Sequence, residues 1–159
     1  METTNLRPTF LTILCVLTFI VSGYQIFNSV SSFSSAEMAV DIAKDAMDEA
    51  KDQIEAESGE VPGIVSKLFG SVTEGLTVEN VKNSAIASGI GNVLTLIGAI
   101  LMWGLDRKGY FLYIFGSLVL ILSPLFIIGG FVGVAASGAS AFAGVLFGVL
   151  YGLNLKHMS

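Results

Sequence analysis

The sequence predicts an all-α fold, an integral membrane four-helix bundle with an additional extracytoplasmic amphipathic acidic helix. Three observations carry that prediction. First, only 13% of the 159 residues are charged and 53% are hydrophobic, with a mean hydropathy of +0.76, whereas a soluble domain carries about a quarter charged residues. Second, the apolar residues gather in four runs, 9–30, 84–105, 110–134 and 139–155, each close to the roughly 20 residues that cross a bilayer core as a helix. Third, the charge is segregated. Residues 36–60 hold nine acidic residues and two lysines, net −7, and the rest of the chain nets +2.

The chain opens with a polar stretch, residues 1–8, that carries Arg7. The first run follows, with Pro8 suited to the first turn of a helix. It is read as a retained span rather than a cleaved signal, because its leading segment holds a single positive charge and apolar residues continue past the small residues Val21 and Gly23. Cys15, the only cysteine, excludes an internal disulfide and reads as a packing residue.

Residues 34–58 read as the acidic helix. Ser34 and Glu37 have the spacing of a capping box. Ala36, Val40, Ala43, Met47, Ala50 and Ile54 alternate by four and three, one stripe of a helix, with Asp41, Asp45, Asp48, Asp52 and Glu55 on the far side. Lys44–Asp48 and Lys51–Glu55 are i,i+4 pairs, each contributing about 0.2–0.5 kcal/mol. Gly59 and Pro62 mark the stop. The stripe of Val40, Ala43, Met47, Ala50 and Ile54 is narrow and alanine-rich, a candidate partner surface. The acidic face reads as solvated, since calcium sites need ligands converging around a tight glycine turn. Residues 59–83 form a connector with a short helix around Ile64–Phe69 and a glycine-broken turn, and Thr77 is placed to cap the next helix.

The second run, 84–105, is followed by the short loop 106–109, DRKG. The third, 110–134, contains Pro124, which kinks a helix by removing an amide and clashing one turn back. An AASGAS turn leads to the fourth, 139–155, and the tail 156–159 ends the chain. Lysine and arginine accumulate on the cytoplasmic side of spans. Four spans put Arg7, Arg107, Lys108 and Lys156 on one side, and the acidic helix on the other, with only Lys67 and Lys82 dissenting. Trp103, Tyr110, Tyr113 and Tyr151 fall at the same interface as the arginines, where aromatic belts sit. The expectation is a multi-pass protein with both termini in the cytoplasm.

Ser140, Gly144, Gly148 and Gly152 recur every four residues on the fourth span, a small-residue seam of the kind that lets helix backbones approach. On the second span Ser84, Ala87, Ser88, Gly91, Asn92, Thr95, Gly98 and Ala99 make a similar face. Asn92 falls within the hydrocarbon and wants a partner, for which Gln25 on the first span is at a matching depth. No ionisable residue interrupts any span, which argues against proton or ion coupling. His157, the single histidine, lies in the tail. The sequence holds no HExxH, phosphate-binding glycine loop or nucleophile elbow, and so predicts no enzyme, cofactor or metal site. Its acidic balance also excludes nucleic acid as a partner.

RPTFLTILCVLTFIVSG at Arg7–Gly23, RKGYFLYIFG at Arg107–Gly116 and LYGLNLKHM at Leu150–Met158 together resemble small, uncharacterised four-span membrane proteins of bacteria. The resemblance covers about a quarter of the chain. It implies a bacterial cytoplasmic (inner) membrane and an uncleaved first span, and brings no activity or functional residue with it. The function expected from these features is a non-enzymatic accessory or scaffolding subunit, whose partners are the lipid bilayer and another membrane protein or a second copy of itself. The alternative is a homo-oligomeric channel or carrier for a small solute, its path lined by Ser88, Asn92 and Thr95. The direction of that polar face separates the two.

Overall fold

A computed structural model describes residues 8–59 and 63–158 of the chain. Among them the fold is all-helical, with α1 Thr9–Ser34, α2 Ala36–Ser58, α3 Gly63–Gly75, α4 Val78–Trp103, α5 Lys108–Ile127, α6 Gly130–Gly152 and a closing 3-10 turn, Leu155–His157. Four helices, α1, α4, α5 and α6, are long and apolar enough to cross a membrane. They stand side by side in the order α1, α4, α5, α6, and α6 meets α1 only sparingly. The polar start Met1–Arg7 and the Pro62 stop lie outside the described residues.

The tightest joint is the α4–α5 hairpin. Gly98 lies against Gly109, and Gly91 against Gly116, in one antiparallel register. A Cβ on Gly98 would stand 2.7 Å from the Gly109 carbonyl oxygen, and one on Gly116 would stand 2.8 Å from that of Gly91. In lipid, where apolar burial drives no association, such backbone proximity supplies the van der Waals contact that holds helices together. The sequence marked small-residue faces on both α4 and α6, and on α6 the small residues meet side chains. Cβ atoms on Gly144, Gly148 and Gly152 would contact Ser117 and Ile121, the Ile114 Cδ1 at 3.1 Å, and the Tyr110 hydroxyl.

Several boundaries differ from the sequence expectation. The third span ends at Ile127 rather than 134, and the turn falls at Ile128–Gly129, with Gly129 at φ +66°, a conformation open to glycine at no steric cost. AASGAS is therefore helical, inside α6, and α5 continues past Pro124 by less than a turn. The second span begins at Val78, not Ser84, because the Thr77 hydroxyl accepts from the Asn80 amide at 3.1 Å and starts the helix there.

The expected capping box also does not form. The Ser34 and Ser35 hydroxyls turn back onto the carbonyls of Val30 and Ser31, at 3.0 and 2.8 Å. Ser34 thus belongs to the end of α1, and the chain runs into α2 with a break only at Ser35. Ala36 and Val40 are buried, at 0% and 1% exposure, while Ala43, Met47, Ala50 and Ile54 are half-covered. Glu37 reaches Lys82 of α4 at 3.2 Å, and Lys51 stands over the Phe69 ring of α3 at 5.7 Å. Lys51 lies 4.0 Å from Asp48 instead of pairing with Glu55. Gly59, at φ +68°, ends α2 as expected.

Candidate functional site

Because α1 and α6 splay apart, the bundle encloses a chamber of about 570 Å³. Its walls come from all four spans, and α3 lies across one end through Val72 and Gly75. From α1 it takes Thr18, Ser22, Gln25, Ser29 and Ser32, and from α4 Ser84, Ser88, Asn92 and Thr95. Asn28 of α1, Asn80 of α4, Tyr113, Ser117 and Ser123 of α5 and Ser140 of α6 add to the polar lining, with Ala85, Leu120 and Phe147 among the apolar wall. Among the described residues, no Asp, Glu, Lys, Arg or His lines it.

These side chains converge for a reason that lies in helical periodicity. Positions 18, 22, 25, 29 and 32 are separated by four and three residues, as are 84, 88, 92 and 95, so each set forms one stripe of its helix. A hydroxyl or amide facing hydrocarbon finds no partner, so both stripes turn inward. Four of the lining side chains bond within their own helix. Ser29 donates to the Gln25 carbonyl at 2.8 Å, the Asn92 amide to Ser88 at 2.8 Å, Thr95 to Asn92 at 2.9 Å and Ser140 to Ala136 at 3.1 Å. Asn92 and Gln25, the expected partners, line the same chamber, but one of the two amide hydrogens of Asn92 goes to the Ser88 carbonyl of its own helix.

Hydroxyls also bond across helices, Ser22 of α1 to Thr95 of α4 at 3.1 Å and Thr18 of α1 to Tyr151 of α6 at 2.7 Å. Thr18–Tyr151 joins α1 to α6 where Leu11, Leu14, Cys15, Met102, Tyr113, Tyr151 and Met158 pack into the main buried cluster. The Tyr113 and Tyr151 rings lie 5.0 Å apart there, and Phe19 and Trp103 lie 5.6 Å apart. The chamber is thus closed at this end and bounded by α3 at the other. The closed end also carries the basic loop, whose Arg107 Nε donates to the Met158 carbonyl at 2.7 Å and so ties it to the tail bearing Lys156.

One group in the chamber keeps unused hydrogen-bonding capacity. The Ser84 hydroxyl is buried with no partner among the described residues. Of the expected seam, Ser140 and Gly144 border the chamber and Gly148 and Gly152 lie on α5 beyond it. The stripe Val40–Ile54 of α2 is remote from it. Sequence reasoning passed over Thr18, Ser22, Ser29, Ser117 and Ser123, although the stripe on the first run was readable from its spacing. Among the described residues, no three His, Cys, Asp or Glu side chains converge.

No protein-family model, curated protein or solved structure matches the chain. What is established is a small multi-pass helical membrane protein.

Proposed function

We propose that this chain is a non-enzymatic membrane protein that binds a small, uncharged, hydrogen-bonding molecule inside its bundle. One observation carries the reading. A chamber of about 570 Å³, lined by hydroxyls and amides, lies among the four candidate spans. Its volume lies within the roughly 300–1,000 Å³ of small-molecule sites. A neighbouring protein's helix is a poor occupant, because at a diameter of about 10–12 Å this volume takes only about one turn of it. The floor at Thr18–Tyr151 favours holding a molecule over conducting one. With the basic end in the cytoplasm, as arginine and lysine placement suggests, the floor faces inward and α2 and α3 lie outside. A bacterial inner membrane remains the setting proposed from the resemblance.

The test is an organic extract of protein purified in mild detergent. A neutral compound in an amount matching the chain, reduced in Ser88→Phe, supports the reading. An empty extract from a sample that carries a stoichiometric foreign protein would overturn it in favour of the accessory subunit. That second reading has its own support in α2, whose acidic face is exposed beyond the first two turns.

A further inference from the structure

We propose that a groove on the outside of the bundle, between α5 and α6, seats an acyl chain of an anionic phospholipid, whose phosphate rests at the basic end by Arg107, Lys108 and Lys156.

The groove is a space of about 240 Å³, distinct from the chamber, with Ser117 and Gly144 bordering both. Gly144 and Gly148 of α6 give it a floor without side chains, and Leu118, Val145 and Val149, all exposed, form its rims. Its lining is apolar except for Ser117 and Tyr110. Along α5 it runs from Tyr110 to Ile121, about 16 Å of helix. That is roughly half of a 30 Å hydrocarbon core, the depth of one leaflet.

The groove ends where charge begins. A Cβ on Gly152 would stand 3.4 Å from the Tyr110 hydroxyl, so Tyr110 closes the space between the two helices there. Arg107 lies one turn beyond Tyr110 and on the same stripe of α5, since 107, 110, 114, 118 and 121 follow at intervals of three and four. Lys156 follows Gly152 by four positions. The bond from Arg107 Nε to the Met158 carbonyl, at 2.7 Å, draws the two segments together. Arg107, Lys108 and Lys156 are exposed, and among the described residues none pairs with a carboxylate. Asp106, the single acidic residue between 84 and 158, accepts the Lys108 backbone amide at 2.8 Å. Three cations against one carboxylate leave this end at +2 with His157 neutral.

Charge selects the occupant. Phosphate beside arginine and lysine makes charge-assisted hydrogen bonds, and basic clusters at the ends of spans attract anionic head groups. An amphipath with an anionic head directly over an apolar chain satisfies both parts of the site, and the bilayer supplies it. A second copy docked here in the same orientation would instead bring two positive ends together, and like charges oppose association.

The experiment is native mass spectrometry of the full-length chain in mild detergent, titrated with dioleoylphosphatidylglycerol, dioleoylphosphatidylcholine or glycerol 3-phosphate. One saturable phosphatidylglycerol adduct is expected, at roughly tenfold lower concentration than for phosphatidylcholine, and none with glycerol 3-phosphate. A lysine near the membrane surface favours anionic lipid by about fivefold. Lys108→Gln combined with Lys156→Gln should therefore weaken phosphatidylglycerol binding roughly ten- to thirtyfold and leave phosphatidylcholine unchanged. Val149→Trp fills the groove from an exposed rim and should weaken both lipids, with the helical spectrum unaltered. Equal affinity for the two lipids, or phosphatidylglycerol binding that survives the lysine changes, would overturn the charge assignment. Binding that survives Val149→Trp would place the lipid elsewhere and overturn the groove. A glycerol 3-phosphate adduct at similar concentration would remove the acyl chain from the site. In vesicles, Val145→Cys in a Cys15→Ser background should stay monomeric under oxidation; a disulfide dimer would show that a second copy covers the groove and would overturn the proposal.

Discussion

The Thr18 hydroxyl of α1 and the Tyr151 hydroxyl of α6 share a 2.7 Å hydrogen bond, and this bond closes the space between two helices that otherwise stand apart. It couples residues 133 positions apart, so the first and last spans are joined through side chains instead of a connecting loop. Beneath it lies the buried cluster around Leu11, Met102 and Tyr113. Above it lies the chamber. The floor and the cavity are therefore two consequences of one helix arrangement.

If that bond holds α6 to α1, Thr18→Val and Tyr151→Phe should each lower stability in detergent. Intramembrane hydrogen bonds between helices average about 0.6 kcal/mol and reach about 1.7. A double-mutant cycle followed by thermal or denaturant unfolding should give a coupling in that range. Additive single losses would show that the two hydroxyls do not act together.

Gly98 and Gly148 should behave differently although both are small residues on packed helix faces. A Cβ on Gly98 would meet the Gly109 carbonyl and the Tyr113 backbone at 2.7 Å, and backbone cannot step aside. Gly98→Val should separate α4 from α5 and cost more than the about 1–3 kcal/mol typical of overpacking. Gly148→Ala meets only the end of the Ile114 side chain at 3.1 Å, which can rotate, and should change the melting temperature little. Equal losses would contradict the α4–α5 contact as the tighter joint.

Burial of α2 at its start predicts a gradient along that helix. Val40→Asp places a charge at a position 1% exposed and should release α2 from α4, read as faster hydrogen exchange across Ala36–Ser58. Lys82→Ala removes an ion pair whose carboxylate is 77% exposed, and such pairs contribute at most about 1 kcal/mol. It should leave exchange nearly unchanged.

The proposed orientation makes a separate demand. In a Cys15→Ser background, Glu57→Cys and Lys108→Cys should react with a membrane-impermeant maleimide from opposite sides of sealed vesicles. Reaction from the same side would mean an even number of spans, or none, between them and would contradict α4 as a span.

Much of this architecture was legible in the sequence, and the omissions have physical causes. Length and hydropathy located four spans, and Gly59 and Thr77 marked two helix ends correctly. The Ser34 cap failed because a serine hydroxyl can equally bond the carbonyl four residues back, and here it does. The α5–α6 turn was displaced because Gly129, Gly130, Gly133 and the AASGAS stretch offer several glycine-bearing breaks in one apolar run. Only packing selects Gly129. Asn92 was recognised as an intramembrane polar residue, yet its partner could not be read from depth alone, since its own helix supplies one. The chamber was hidden for a related reason. The stripe 18, 22, 25, 29, 32 can be counted from sequence, but whether it meets another helix or an open space depends on how far α6 stands from α1.

A density map of the chain reconstituted in lipid nanodiscs tests the central claim most directly, that the bundle holds a small neutral molecule beside Asn92. The account predicts connected non-protein density between Asn92, Thr95 and Ser117, with α1 and α6 separated above the Thr18–Tyr151 bond. A map in which α6 packs against α1 along its length, with Ser29 and Ser140 in contact and no intervening volume, would contradict it.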